Sequence, residues 1–180
     1  NRIASCGEDD TVRVWDLDTR ENNHTFRHTS VVISVCAIDG NRIVSGGSGG
    51  IRVWDLTTNQ STVLRGHTGM VRSVCKIDGN RIASGGMDRT VRVWDLNSGG
   101  NTRTFEHEDW VLAVCAIDGK RVASVGRDRT VRVWDLDTRE NTHTFTGHLD
   151  LVHSVCAIDA NRIASCGEDH TVRVWYIGPE

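Results

Sequence analysis

A phrase ending in tryptophan confines what this chain can become. It recurs five times, closing on Trp15, Trp54, Trp94, Trp134 and Trp175, at intervals of 39, 40, 40 and 41 residues. The first copy reads N-R-I-A-S-C-G-E-D-D-T-V-R-V-W-D-L and the third N-R-I-A-S-G-G-M-D-R-T-V-R-V-W-D-L, so variation is confined to a few positions. A unit of about forty residues is too small to bury its own apolar faces and must stack on its neighbours. The chain is therefore expected to be a repeat array.

Within one unit the pattern is that of strands. In the third unit, Val71 to Ile77 is a β-branched alternating run that stops at Asp78-Gly79, a dipeptide suited to a tight hairpin. Arg81 to Gly85 reads as a second strand, Thr90 to Leu96 as a third and Asn101 to Phe105 as a more polar fourth. This predicts a four-stranded antiparallel meander. No helical period is present, and the sole proline, Pro179, breaks no strand.

Composition narrows the function classes. The net charge of -3, from 24 acids and 21 bases, announces neither a nucleic-acid nor a membrane partner. No window approaches the roughly twenty apolar residues of a membrane span, and the opening residues carry no signal-like core. Because the chain opens on Asn1 inside a repeat phrase, it is expected to be excised from something longer, or incomplete at its start. Cys36, Cys75, Cys115 and Cys156 share one repeat position inside apolar runs and are expected to be buried small hydrophobes, while Cys6 and Cys166 share another. No C-x-x-C pair exists. The expectation is a reduced thiol set in the cytoplasm or nucleus, with no metal and no cofactor.

A G-H pair ahead of the first strand and W-D at the end of the third complete the pattern. The chain has Gly66-His67 and Gly147-His148, Ser84, Ser124 and Ser165 on second strands, Asp88, Asp128 and Asp169 in the next turns, and an acid after four of the five tryptophans. In this it resembles the WD-repeat (WD40) family of β-propellers over essentially all 180 residues. The resemblance implies an all-β fold of four-stranded antiparallel blades in one domain spanning residues 1–180. The blades are expected at about 1–26 (partial), 28–65, 67–105, 107–146 and 148–178 (partial). That is about four and a half repeats, whereas the family most often closes with seven blades, or about 280 residues at this period. An incomplete ring, or a fragment of a larger one, is expected.

The resemblance also implies hydrogen-bonded tetrads, His67-Ser84-Asp88-Trp94, His107-Ser124-Asp128-Trp134 and His148-Ser165-Asp169-Trp175, that tie each blade together. His, Ser and Asp are also the cast of a hydrolase. A set repeated several times, without a G-x-S-x-G elbow or an oxyanion site, reads as scaffold rather than catalysis. His28 and His107 lack the preceding glycine, so their loops are expected to take another path. The second blade is one residue short, running Ser45-Gly46-Gly47-Ser48-Gly49-Gly50 into Ile51 with no turn acid, so its tetrad should be incomplete. The recurring Arg13, Arg52, Arg92, Arg132 and Arg173 sit inside V-R-V-W, where long side chains can lie along apolar surface near the turn acids.

Function should lie where blades differ. By the resemblance, the residues facing the channel mouth include Met70, Arg72 and Met87 from the third blade and Trp110, Leu112 and Arg127 from the fourth, followed by Leu151 and His153 from the fifth. Val31, Ile33, Glu8 and Glu168 hold matching places. Trp110 is the sole tryptophan outside the repeat phrase. Aromatic and arginine residues around a fixed pocket are typical binding anchors. The short links between strands are also similar to F-box-type WD-repeat substrate receptors, in which arginines at the places of Arg72 and Arg127 bind phosphorylated degrons. The expectation is a non-enzymatic scaffold for a protein or peptide partner, acidic or phosphorylated, as in a ubiquitin ligase substrate receptor. The alternative is a structural module that self-associates through open terminal blades.

Overall fold

The computed structural model describes residues 1–178, so Pro179 and the end of the expected domain lie outside the described residues. The described chain is all β: eighteen strands in five antiparallel sheets. The first sheet has three strands, β1 (Arg2–Cys6), β2 (Thr11–Asp16) and β3 (Asn22–Arg27). The second has β4 (Val32–Ala37), β5 (Arg42–Gly47), β6 (Gly50–Asp55) and β7 (Ser61–Leu64). The third has β8 (Val71–Lys76), β9 (Arg81–Gly86), β10 (Thr90–Asp95) and β11 (Gly100–Glu106). The fourth has β12 (Val111–Ala116), β13 (Arg121–Gly126), β14 (Val131–Asp135) and β15 (Asn141–Phe145). The fifth again has three, β16 (Val152–Asp159), β17 (Arg162–Gly167) and β18 (Val172–Tyr176). Each sheet is a meander in chain order, the architecture of an incomplete propeller of about four and a half repeats.

The core lies between blades rather than within them. The third blade sends Ala83, Val91, Val93 and Phe105 against Val111, Val114, Val122 and Trp134 of the fourth. The same positions pack the first blade on the second, the second on the third and the fourth on the fifth. Each fourth-strand phenylalanine stacks on the next blade's tryptophan, with ring centroids 4.9 Å apart for Phe26–Trp54, 4.8 Å for Phe105–Trp134 and 5.0 Å for Phe145–Trp175.

Polar latches follow the same period. Arg42 donates to the carbonyl of Gly79 at 2.7 Å, Arg81 to Gly119 at 2.6 Å and Arg121 to Ala160 at 2.6 Å, each reaching the next blade's hairpin turn. Asp39, Asp78 and Asp118 hold these guanidinium groups at 2.7–2.8 Å. The D-G-N-R run thus shapes a turn and carries an inter-blade bond.

The stacking stops at both ends. Among the described residues no strand of the first sheet packs extensively against a strand of the last, and residues that are covered elsewhere stand open there. Cys156 is exposed, contrary to the expectation from its repeat position, because no sixth blade covers its side of the sheet. Cys36, Cys75 and Cys115 are partly covered, and burial pushes the Cys75 and Cys115 thiols up to about 12. No helix among the described residues is long and apolar enough to cross a membrane.

Candidate functional site

The tetrads form a rigid frame. In the third blade the Trp94 indole N–H donates to Ser84 Oγ at 2.8 Å, and Ser84 Oγ lies 2.7 Å from His67 Nε2. His67 Nδ1 lies 2.8 Å from the Asp88 carboxylate, which also accepts the Thr68 backbone N–H at 3.0 Å. Burial pushes the Asp88 carboxyl up, but the hydrogen bond and charge of His67 outweigh it and hold the group well below the usual range. The fourth blade repeats this with His107–Asp128 at 2.8 Å and His107–Ser124 at 2.7 Å, and the same opposition leaves Asp128 at about 2. The fifth does so through His148, Ser165, Asp169 and Trp175. His107 keeps its place although Glu106 stands where glycine was expected to be needed.

This order of bonds resembles a hydrolase triad, yet Ser84 and Ser124 are 0% exposed and each accepts an indole N–H. A sealed nucleophile engaged on both sides reaches no substrate. The chain of bonds satisfies buried polar groups and fixes the loop before the first strand.

That frame carries the variable residues on a β-bulge. The register between first and second strands jumps from Val71↔Gly86 to Ser73↔Gly85, from Val111↔Gly126 to Ala113↔Val125, and from Val152↔Gly167 to Ser154↔Cys166. The skipped residues are Arg72, Leu112 and His153. A bulged residue is left out of the ladder and its side chain is re-aimed. The opposing glycines permit a close approach: a Cβ on Gly126 or Gly167 would overlap the carbonyl oxygen of Trp110 or Leu151. Those carbonyls accept the backbone N–H of the turn residue, Met87 to Met70, Arg127 to Trp110 and Glu168 to Leu151, all at 2.9 Å.

Loop, bulge and turn are thereby clamped side by side in three successive blades. Arg72, Met87, Trp110, Leu112, Arg127, Leu151 and His153 line one cavity of about 200 Å³. Met70 points elsewhere, into a neighbouring cavity of about 480 Å³ beside the Ser48–Gly50 turn. Arg127 stacks its guanidinium 4.5 Å above the Trp110 ring. The other five indole N–H groups each donate to a serine, whereas Trp110 has no such bond.

Electrostatically the cavity is short of acceptors. Among the described residues neither Arg72 nor Arg127 has a carboxylate within ion-pair distance, and the buried Nε of Arg72 has no hydrogen-bond partner. His153 lies 3.0 Å from Glu168, a pair at the rim. The repeat register had placed Glu168 on this face without marking it as a partner of His153. Two unpaired cations above Leu112, Leu151 and Met87 can take an anionic group beside an apolar side chain. Among the described residues no cluster of three or more His, Cys, Asp or Glu side chains is placed to hold a metal ion.

Three third-strand arginines lie beside their turn acid as expected, Arg13 2.7 Å from Asp9, Arg132 3.4 Å from Asp128 and Arg92 3.9 Å from Asp88, whereas in the fifth blade the buried Nε of Arg173 has no partner although Asp169 is in the turn. In the second blade both ring nitrogens of His28 and the Nε of Arg52 are buried without a partner. Only the Trp54–Ser45 bond of that tetrad remains, at 2.7 Å.

A family model described as WD domain, G-beta repeat, matches residues 1–16, 20–55, 58–95, 99–135 and 139–176. The last four of these units each begin at a fourth strand and end on the third strand of the next sheet, while the first covers only β1 and β2. No curated protein matches the chain.

Proposed function

Because the chain belongs to the WD-repeat family, whose members are generally non-enzymatic scaffolds for protein–protein interaction, we propose that the cavity across the third, fourth and fifth blades is its partner site. The occupant is an extended peptide segment with an acidic or phosphorylated residue beside an aliphatic one. The observation that carries this reading is the pairing of Arg72, its buried Nε without an acceptor, with Arg127 held over Trp110. An anion reaching both would satisfy a buried donor, and charge-assisted bonds of this kind are about twice as strong as neutral ones. The bulges and tetrads fix these groups before binding, so little ordering cost is added.

The likeness of Arg72 and Arg127 to the degron-binding arginines of F-box-type receptors extends the reading to recognition of a phosphorylated substrate in a ubiquitin ligase. The reading also places the chain in the cytoplasm or nucleus, where a free and exposed thiol such as Cys156 stays reduced. An array of peptides in which leucine neighbours serine, glutamate or phosphoserine tests the site. The expected order of retention is phosphoserine, then glutamate, then serine, and Arg72→Ala with Trp110→Ala should lower phosphopeptide retention at least tenfold. Retention unchanged in that double variant defeats the assignment.

A further inference from the structure

The second blade keeps the setting of a carboxylate although its turn has no acid. In the third blade one Asp88 oxygen accepts from His67 Nδ1 at 2.8 Å and from the Thr68 N–H at 3.0 Å, with Arg92 Nε 3.9 Å away. The fourth blade sets His107, the Glu108 N–H and Arg132 around one oxygen of Asp128, at 2.8, 3.3 and 3.4 Å. The fifth sets His148 and the Leu149 N–H around one oxygen of Asp169, at 2.9 and 3.0 Å. The second blade has His28, the Thr29 N–H and Arg52 at the same repeat positions, and its turn is Ser48-Gly49-Gly50.

The imidazole holds its place in spite of the loss. His28 lies 6.0 Å from Trp54 at an interplanar angle of 63°, against 5.9 Å and 62° for His107 and Trp134 in the intact fourth blade. The residue is 6% exposed, and both ring nitrogens are buried and unpartnered. Asp10 of the first blade bonds the His28 backbone N–H through its carbonyl at 2.7 Å and leaves the ring unmet. Arg52 Nε is also buried without a partner, but so is Arg173 Nε in a blade with its turn acid, so the orphaned imidazole carries the argument. A buried donor left unmet is costly, and native folds seldom keep one that nothing ever meets.

Three sister sites specify what meets it. In the third blade Ser84 Oγ accepts the Trp94 indole N–H, so the serine proton goes to His67 Nε2 and the Nδ1–H donates to Asp88. The partner of such an imidazole is a planar carboxylate, one oxygen of which is shared with the next backbone N–H. We infer that the second blade binds a free, small monocarboxylate of formate or acetate size, held by His28 Nδ1 and the Thr29 N–H with its charge toward Arg52. No proton changes hands, and the bonds are charge-assisted.

Room for the anion comes from the turn. Gly49 stands over the donors, since a Cβ there would overlap Thr29 Oγ1 and come within 2.8 Å of His28 Nδ1. The cavity of about 480 Å³ that Met70 borders is lined by Ser48, Gly49 and Gly50 but not by His28 or Thr29, so it lies on the far side of the turn. A Cβ on Gly50 would touch nothing. Two successive glycines can swing toward that space at little backbone cost and admit the anion. A carboxylate borne on a peptide would bring its own backbone into the place of the turn, which favours the free acid. Phosphate is tetrahedral and more highly charged than the group this place is shaped for. The inference stands apart from the cavity of the third to fifth blades, so either reading can fail alone.

The test is a set of imidazole nitrogen–proton correlation spectra of the 180-residue chain, with formate or acetate replacing chloride at constant ionic strength. The expected result is a saturable shift of the His28 Nδ1–H signal and a rise in the thermal unfolding midpoint, with either carboxylate and not with phosphate. His28→Leu puts an apolar side chain where the orphaned ring was and should abolish the rise. Replacing Ser48-Gly49-Gly50 with the third blade's Met-Asp-Arg-Thr supplies an internal carboxylate and should weaken formate binding at least tenfold. The inference is overturned by no saturable response to either carboxylate, by an equal response to phosphate, or by tighter binding of acetyl-Gly-Asp-Gly-amide than of acetate. A midpoint rise that survives His28→Leu would overturn it as well.

Discussion

The second and fourth blades share one sequence phrase and one strand order, yet only the fourth finishes its internal bonding. In the fourth, Asp128 draws together His107, the Glu108 N–H, Thr130 and Arg132. In the second, a turn shorter by one residue has glycine where the acid would be, and His28 at 6% exposure has two unpartnered nitrogens. The apolar faces of the two blades are nevertheless buried alike. Inter-blade packing therefore suffices to build a blade, and the tetrad sets how firmly its upper loops are held. The fourth blade, with the firmer loops, carries Trp110 and Arg127; the second offers the loose Ser48–Gly50 turn.

The comparison breaks most decisively if its strongest element proves idle. Asp128→Ala orphans several buried donors at once and should cost about 3 kcal/mol in urea unfolding. A loss under about 1 kcal/mol would mean that the fourth blade gains little from its tetrad. The converse sharpens the contrast: replacing Ser48-Gly49-Gly50 with Met-Asp-Arg-Thr, the third blade's turn, should stabilise by about 1–2 kcal/mol by giving His28 its acceptor. Gly49→Asp alone should fail, since a Cβ there meets Thr29 Oγ1 and comes within 2.8 Å of His28 Nδ1.

Acid separates the two blades more gently. Burial, and then the charge of Arg52, push the His28 pKa below its ordinary 6.5, so the unfolded chain takes up the proton first. Stability from this group is full above about 6.5 and declines as pH falls. For Asp128 the depressed carboxyl keeps its contribution above the ordinary 3.8 and loses it only as pH falls through about 2. Hydrogen exchange compared at pH 7.5 and 5, corrected for intrinsic rates, should show less protection around His28 at the lower pH. The smallest stability effect is expected at Arg127→Ala, within about 0.5 kcal/mol, because that side chain is exposed and touches one ring.

Much of this was legible in the sequence because the repeat reports each position several times. The meander followed from Val-x-x-Val runs and Asp-Gly turns, and the incomplete second tetrad from one missing residue. Seven of the eight residues proposed for partner contact do share one cavity; Met70 does not, because its carbonyl faces the turn while its side chain borders the second blade. What escaped was geometry that no residue type announces. The bulge at Arg72, Leu112 and His153 depends on the glycines across the ladder, and the arginine latch on the turn of the neighbouring unit. Cys156 misled because its burial depends on a following blade rather than on its own strand.

On the proposed reading the partner meets the firm blades and not the loose one. Heteronuclear correlation spectra recorded while titrating the best-retained leucine–phosphoserine peptide address it directly. The Trp110 indole N–H and the Met87 methyl are expected to shift progressively to saturation while His28, Ser48 and Val174 stay put. Shifts centred on the Ser48–Gly50 turn or on β18, with Trp110 unmoved, would contradict it.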